Sequence, residues 1–152
     1  MADVEIIPAG PPHLDTVVAL HNEIFRPQQD AAFFKRRFLG RYNLTTLLAH
    51  LDGRPVGFII GFELKPSTYY IWLCGVLPDF RGAGVANQLM HAMHGWAGEH
   101  QYEYVRLECH NRHREILRLA VDHGYDISGI RWEHERGDNV IIFEKTLPEP
   151  TE

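Results

Sequence analysis

From Tyr69 to Met90 the chain passes from an apolar, strand-like run through Arg81-Gly82-Ala83-Gly84 into apolar residues at helical spacing. A strand that turns through glycines into a helix leaves the first-turn N–H groups unobstructed, and the helix dipole adds positive charge at the same point. Such a turn suits an anion, a pyrophosphate above all, and Arg81 supplies a permanent cation beside it. Two common phosphate loops do not match. A Walker loop needs Gly-Lys-Ser/Thr where this chain continues Gly84-Val85-Ala86, and a dinucleotide fingerprint needs a third glycine where Asn87 stands.

The periodicity around this turn predicts an α+β domain. Val4 to Ile7 reads as a strand, closed by the breaker Pro8-Ala9-Gly10-Pro11-Pro12. Leu14 to Phe25 carries helical spacing up to Pro27, and a short helix follows from Asp30 to Leu39. Three strands, Leu44 to Leu51, Pro55 to Glu63 and Tyr69 to Leu77, are joined by Asp52-Gly53 and by the Leu64 to Thr68 loop, and should be antiparallel. A helix from Gly84 to Glu99 and a strand from Tyr104 to Cys109 complete a βαβ crossover, whose strands are parallel. A helix from Arg112 to His123, with Asn111 as its cap and Gly124 at its end, precedes strands Ile127 to Glu135 and Val140 to Leu147. The sum is a mixed, mostly antiparallel sheet with helices on both faces, in one domain over residues 1–147 with a tail at 148–152.

Arg81-x-x-Gly84-x-Ala86 is similar to the Gln/Arg-x-x-Gly-x-Gly/Ala loop of the GNAT superfamily of acetyl-CoA-dependent N-acetyltransferases. Val76-Leu77-Pro78 before the loop, the helix after it and the Asn111 to Tyr125 segment stand in the family's order, β-α-α-β-β-β-α-β-α-β-β. The resemblance implies acetyl-CoA as cosubstrate and a primary amine as acceptor, attacked directly in a ternary complex. It implies that backbone at Val76 and Leu77 holds the pantetheine arm, and that N–H groups of Arg81, Gly82, Ala83, Gly84, Val85 and Ala86 hold the pyrophosphate. Gly75 is the expected bulge residue of the fourth strand, and Asn111 stands where the family often uses a side chain on the cofactor, a role compatible with capping.

Amide formation from a thioester needs a base for the amine, a donor for the carbonyl oxygen and a proton for the thiolate. Where several family members carry a carboxylate this chain has Tyr70, so Glu63 is the candidate base across the hairpin and Glu108 the reserve. Glu63 serves equally well as an ordinary solvated hairpin-end carboxylate. The tyrosine that many members place four residues before the helix-ending glycine is Ala120 here, which leaves Tyr70, a water or an unaligned group to protonate the thiolate. A rival reading of another class is a non-catalytic acyl-CoA-binding or regulatory module. A weaker rival, a nucleotide-phosphate enzyme, requires ATP or NAD to compete with CoA.

Composition narrows the partners. A net charge of -5 argues against a chain that neutralises nucleic-acid phosphates and mildly favours a cationic acceptor, a small-molecule or peptide amine. Cys74 and Cys109 lie in apolar runs and read as buried hydrophobes, no segment is apolar enough for a membrane span, and the expected compartment is the cytoplasm. Of ten histidines, His91-x-x-His94 should be solvated on the outer face of its helix, while Cys109-His110-x-x-His113 straddles a turn, so no metal is expected. Arg112, Arg114 and Arg118 are open to the cofactor's 3′-phosphate or to a solvated helix face. Trp132 is open to packing or to an oligomer interface such as a homodimer's.

Overall fold

The computed structural model describes residues 3–149, so residues 150–152 of the expected tail lie outside the described residues. Seven strands form one sheet: β1 (Glu5–Pro8), β2 (Thr45–Leu51), β3 (Arg54–Lys65), β4 (Thr68–Val76), β5 (Tyr104–His110), β6 (Asp126–Glu133) and β7 (Asp138–Thr146). Four α-helices connect them: α1 (Leu14–Ile24), α2 (Ala31–Phe38), α3 (Val85–Glu99) and α4 (Arg114–Asp122). The spatial order is β1-β2-β3-β4-β5-β7-β6, and every pairing is antiparallel except β4 with β5. Among the described residues no helix is long and apolar enough to cross a membrane.

Local chemistry explains the elements. Asp52 and Gly53 both take positive φ, 50° and 77°, the geometry of the tight turn that matches strand twist. Asp30 caps α2, its Oδ1 accepting the Phe33 N–H at 2.9 Å. Strand β3 lies inside the sheet between β2 and β4 and is buried on both faces from Val56 to Phe62, which is why its sequence is continuously apolar. On one face Ile59, Tyr69, Ile71, Val105 and Phe143 pack under Leu89 and Met93 of α3. On the other, Phe58 and Ile60 pack under Val17 and Leu20 of α1 and Phe34 of α2. Each such side chain, fully removed from water, contributes about 1.5–3 kcal/mol.

Four expectations are corrected by tertiary structure. The loop expected at Leu64 to Thr68 is a two-residue turn, because β3 continues to Lys65, which pairs with Thr68. The bulge in β4 falls at Trp72 and not at Gly75: Ile60 opposes Leu73 and Gly61 opposes Ile71, whereas Gly75 pairs regularly with Phe58. Helix α4 begins at Arg114 with His113 at the cap, because β5 stays paired to β7 through His110 and the Asn111 N–H is drawn to the Asn139 carbonyl at 2.8 Å. His94 is not solvated: its Nε2 lies 2.5 Å from the Tyr125 hydroxyl, and burial pushes its pKa down to about 3.

Gly61 marks the tightest point of the β3–β4 pair. A Cβ there would overlap the Tyr69 ring and stand 2.9 Å from the Tyr70 carbonyl oxygen. Gly61→Ala should therefore cost about 1–3 kcal/mol through overpacking, read as a lower urea midpoint at unchanged slope. A wild-type midpoint would contradict this packing.

Candidate active site

Strands β4 and β5 pair only from Thr68↔Tyr104 to Ile71↔Leu107 and then diverge. Beyond that point β5 remains on β7 through His110, and β4 remains on β3 through Val76. Two local causes act on β4. The extra residue at Trp72 bends the strand and brings Trp72 and the next residue, Leu73, to the α1–α2 side. Helix α1 presses Phe25 and Ile24 against Gly75, where a Cβ would lie 2.8 Å from Phe25 Cε2. Glycine at 75 thus admits the α1 wedge.

Two cavities, of about 550 and 590 Å³, open from this divergence. The larger is bordered by Val76, Arg81, Gly82, Ala86 and the start of α4. The smaller is bordered by Tyr70, Trp72, Glu108 and His110, with arginines around it. They share a wall of Ile24, Phe25, Cys74, His113, Ile116 and Leu119, so one space leads into the other.

The glycine turn has the expected geometry. Gly82 and Gly84 take φ of 81° and 83°, values that a side chain would strain, and Gly84 is the residue from which α3 starts. The first-turn amides of α3 have no intrahelical acceptor by construction. Arg81 extends to Glu115 at 3.5 Å across the mouth of the larger cavity, both side chains being exposed. Of the residues expected to hold cofactor, Val76, Arg81, Gly82 and Ala86 border this cavity. Gly84 starts the helix behind them, Ala83 packs partly into the core, and the Val85 side chain is buried in it. Leu77 is drawn away: its N–H donates to the Val56 carbonyl and its carbonyl accepts from Phe80 N–H, both at 2.9 Å. Asn111 is held at the β5–β7 end by its bond to Asn139.

The two expected catalytic residues are not brought together. Tyr70 borders the smaller cavity, and its phenol is pushed up to about 12, by burial first and then by the Glu108 carboxylate. Glu63 pairs with Tyr69 and so projects from the opposite face of the sheet, where the Tyr102 hydroxyl donates to its Oε1 at 2.9 Å. Glu108, the reserve, does border the cavity, but Arg131 donates to its Oε1 at 3.1 Å. Ala120 is fully buried in the core.

His113 is a titratable group that no sequence expectation placed beside the cofactor loop. It stands on the shared wall, and burial, followed by the neighbouring His110, moves its pKa below the usual 6.5, so it is neutral at pH 7. His110 Nε2 meets Glu133 Oε1 at 3.2 Å beside it. Its signal in the sequence is Cys109-His110-x-x-His113, a spacing that reads first as a metal motif; among the described residues no group of three or more His, Cys, Asp or Glu gathers to hold an ion. Cys74, also on the shared wall, is pushed up to about 12 by burial, and Cys109 to about 11.

The family model described as "Acetyltransferase (GNAT) family" matches residues 14–125. Solved structures share the fold: the ribosomal-protein-S18-alanine N-acetyltransferase from Escherichia coli superposes with a TM-score of 0.84 at 14% identity, covering 99% of this chain and 97% of that one. Ard1 from Thermoplasma volcanium gives 0.86 at 21% identity, covering 96% and 99%. A curated relative, L-2,4-diaminobutyric acid acetyltransferase of Nocardia farcinica, is 39% identical over 51 residues, which is 32% of this chain and 26% of that protein. The match thus spans about a quarter of that relative's length. With a family match across the α1 to α4 region, which includes the glycine turn and the wall shared by both cavities, this chain belongs to the GNAT family of acetyltransferases.

Proposed function

We propose that the protein transfers an acetyl group from acetyl-CoA to a primary amine by direct attack while both substrates are held. The observation that carries this reading is the shared wall between a cavity edged by the glycine turn and a cavity edged by Tyr70, with His113 in that wall. The residues present fit acetyl-CoA. The turn offers unobstructed amides with Arg81 beside them, and β4 past Ile71 has, among the described residues, no strand on its β5 side to take its backbone groups. Amides from Arg81 to Ala86 would hold the diphosphate, and the β4 edge ending at Val76 would hold the pantetheine arm. When bound, acetyl-CoA supplies the acyl group as an activated thioester.

The chain's own residues then divide the proton work. Neutral His113 takes a proton from the attacking amine on its imidazole, and the imidazolium returns it to the departing thiolate. One group in both roles accounts for Ala120 standing where an acid is usual. Tyr70, held un-ionised by burial, remains a hydrogen-bond donor on the acceptor side. Cys74 stays a thiol at neutral pH and is a poor nucleophile, which favours direct attack over an acyl-enzyme.

Gly84→Asp places bulk and negative charge at the start of α3. Calorimetry should show acetyl-CoA affinity reduced at least about tenfold; a wild-type Kd would contradict the assignment of the loop.

His113→Gln should lower kcat by about a hundredfold with acetyl-CoA affinity largely retained. In the wild type, kcat/KM should fall on the acid side through an apparent pKa below 6.5, since protonation disables the base, and the variant should lack that limb. An acid limb unchanged in the variant would remove His113 from the mechanism.

A further inference from the structure

We infer that the acceptor is a small amino acid, an amine carrying its own carboxylate, rather than a simple diamine or polyamine. This rests on the acetyl-transfer reading above and names the substrate class of the same site. The smaller cavity is bordered by four arginines, Arg26, Arg37, Arg131 and Arg136, against two carboxylates, Glu108 and Glu133. Arginines thus outnumber carboxylates around this cavity, whereas acidic groups outnumber basic ones over the whole chain, whose net charge is -5. Two of the arginines are already matched: Arg131 lies 3.1 Å from Glu108 and Arg136 lies 3.5 Å from Glu133.

Arg26 and Arg37 have no carboxylate partner among the described residues, yet both are fixed in place. Arg37 stacks on Trp72, its guanidinium carbon 4.9 Å from the ring centroid, and Trp72 is itself set against Phe33, Phe34 and Phe38 at 6.0, 5.8 and 6.3 Å. A guanidinium held over a ring in this way keeps N–H groups to donate as a fork. Arg26 is anchored through one amino group, which donates to the Asn22 and Phe25 carbonyls at 2.5 and 2.9 Å. Its other N–H groups have no partner among the described residues. The positive charge of Arg37 reaches the Tyr70 hydroxyl, where it counters the effect of Glu108.

A planar fork pre-placed on an aromatic face is matched by a carboxylate, bound through two parallel charge-assisted hydrogen bonds. A doubly cationic diamine entering the same space meets two uncompensated arginines. An amino acid cancels that repulsion with its carboxylate at Arg26 and Arg37, and this leaves its amine free to approach His113 on the shared wall. The cavity, about 550 Å³, is ample for a molecule of that size.

The test compares acceptors that differ only in the carboxylate: 2,4-diaminobutyrate with 1,3-diaminopropane, ornithine with putrescine, and lysine with cadaverine. Initial rates of CoA release by the full chain give kcat/KM for each, and calorimetry on the same preparation gives the acetyl-CoA Kd. At least one amino acid should exceed its decarboxylated partner by about tenfold or more. Arg37→Ala and Arg26→Ala should each move that ratio toward one through KM, and Arg37→Lys should restore only part of it because an ammonium lacks the fork. Retained acetyl-CoA affinity in these variants establishes that they fold. If acetyl-CoA binds but the diamines are used as well as the amino acids, if none of the amino acids is acetylated, or if the ratio is unmoved in both alanine variants, the inference is overturned. Absence of acetyl-CoA binding in the wild type overturns the acetyl-transfer reading, and this inference with it.

Discussion

Strand β4 is bound along one edge to β3 through Val76 but along the other to β5 only as far as Ile71. The site follows from that unequal pairing. A parallel strand that ran its full length beside β5 would close the sheet and bury the backbone edge. Here the extra residue at Trp72 bends the strand, Phe25 wedges against Gly75, and β5 is kept on β7 by His110↔Val140. The backbone edge of β4 that opens in consequence points into the space between the two cavities, with the start of α3 at one end and the α1–α2 wall at the other. Every residue but proline carries a backbone N–H, so a site built on such groups depends on chain path more than on side-chain identity.

Burial sets the protonation states around this opening. Tyr70 and Cys74 lose water and are held protonated, whereas His113 loses water and is held neutral. The same physical cause therefore yields proton donors and a proton acceptor around one opening. Charge is distributed less evenly. The chain as a whole is acidic, while the cavity beside Tyr70 collects arginines, so net charge read from composition does not describe the charge around that cavity.

Much of the fold was legible because its signals are local. Asp52-Gly53 dictates a tight turn through its own backbone preferences, the continuous apolar run of β3 announces a central strand, and Gly82 and Gly84 announce the turn before α3. What escaped depends on relations between distant segments. Glu63 is close to Tyr70 along the hairpin, but side chains alternate across the sheet, and its register opposite Tyr69 sends it to the other face. Gly75 looked like a bulge residue, yet its glycine is required by a side chain some fifty positions earlier, Phe25 at the end of α1. Asn111 looked like a cap until the length of the β5–β7 pairing displaced the helix start to Arg114. His113 could have been found by asking what its motif lies beside, and not only what it could ligate.

Hydrogen exchange with and without acetyl-CoA tests the central claim most directly, because it reads the backbone groups on which the site is built. Amides of residues 72–76 on β4 and of the first turn of α3, residues 85–87, should exchange markedly more slowly with ligand present, while those of the edge strand β6 are unchanged. Protection that spares both segments, or that appears only elsewhere in the chain, would contradict the account.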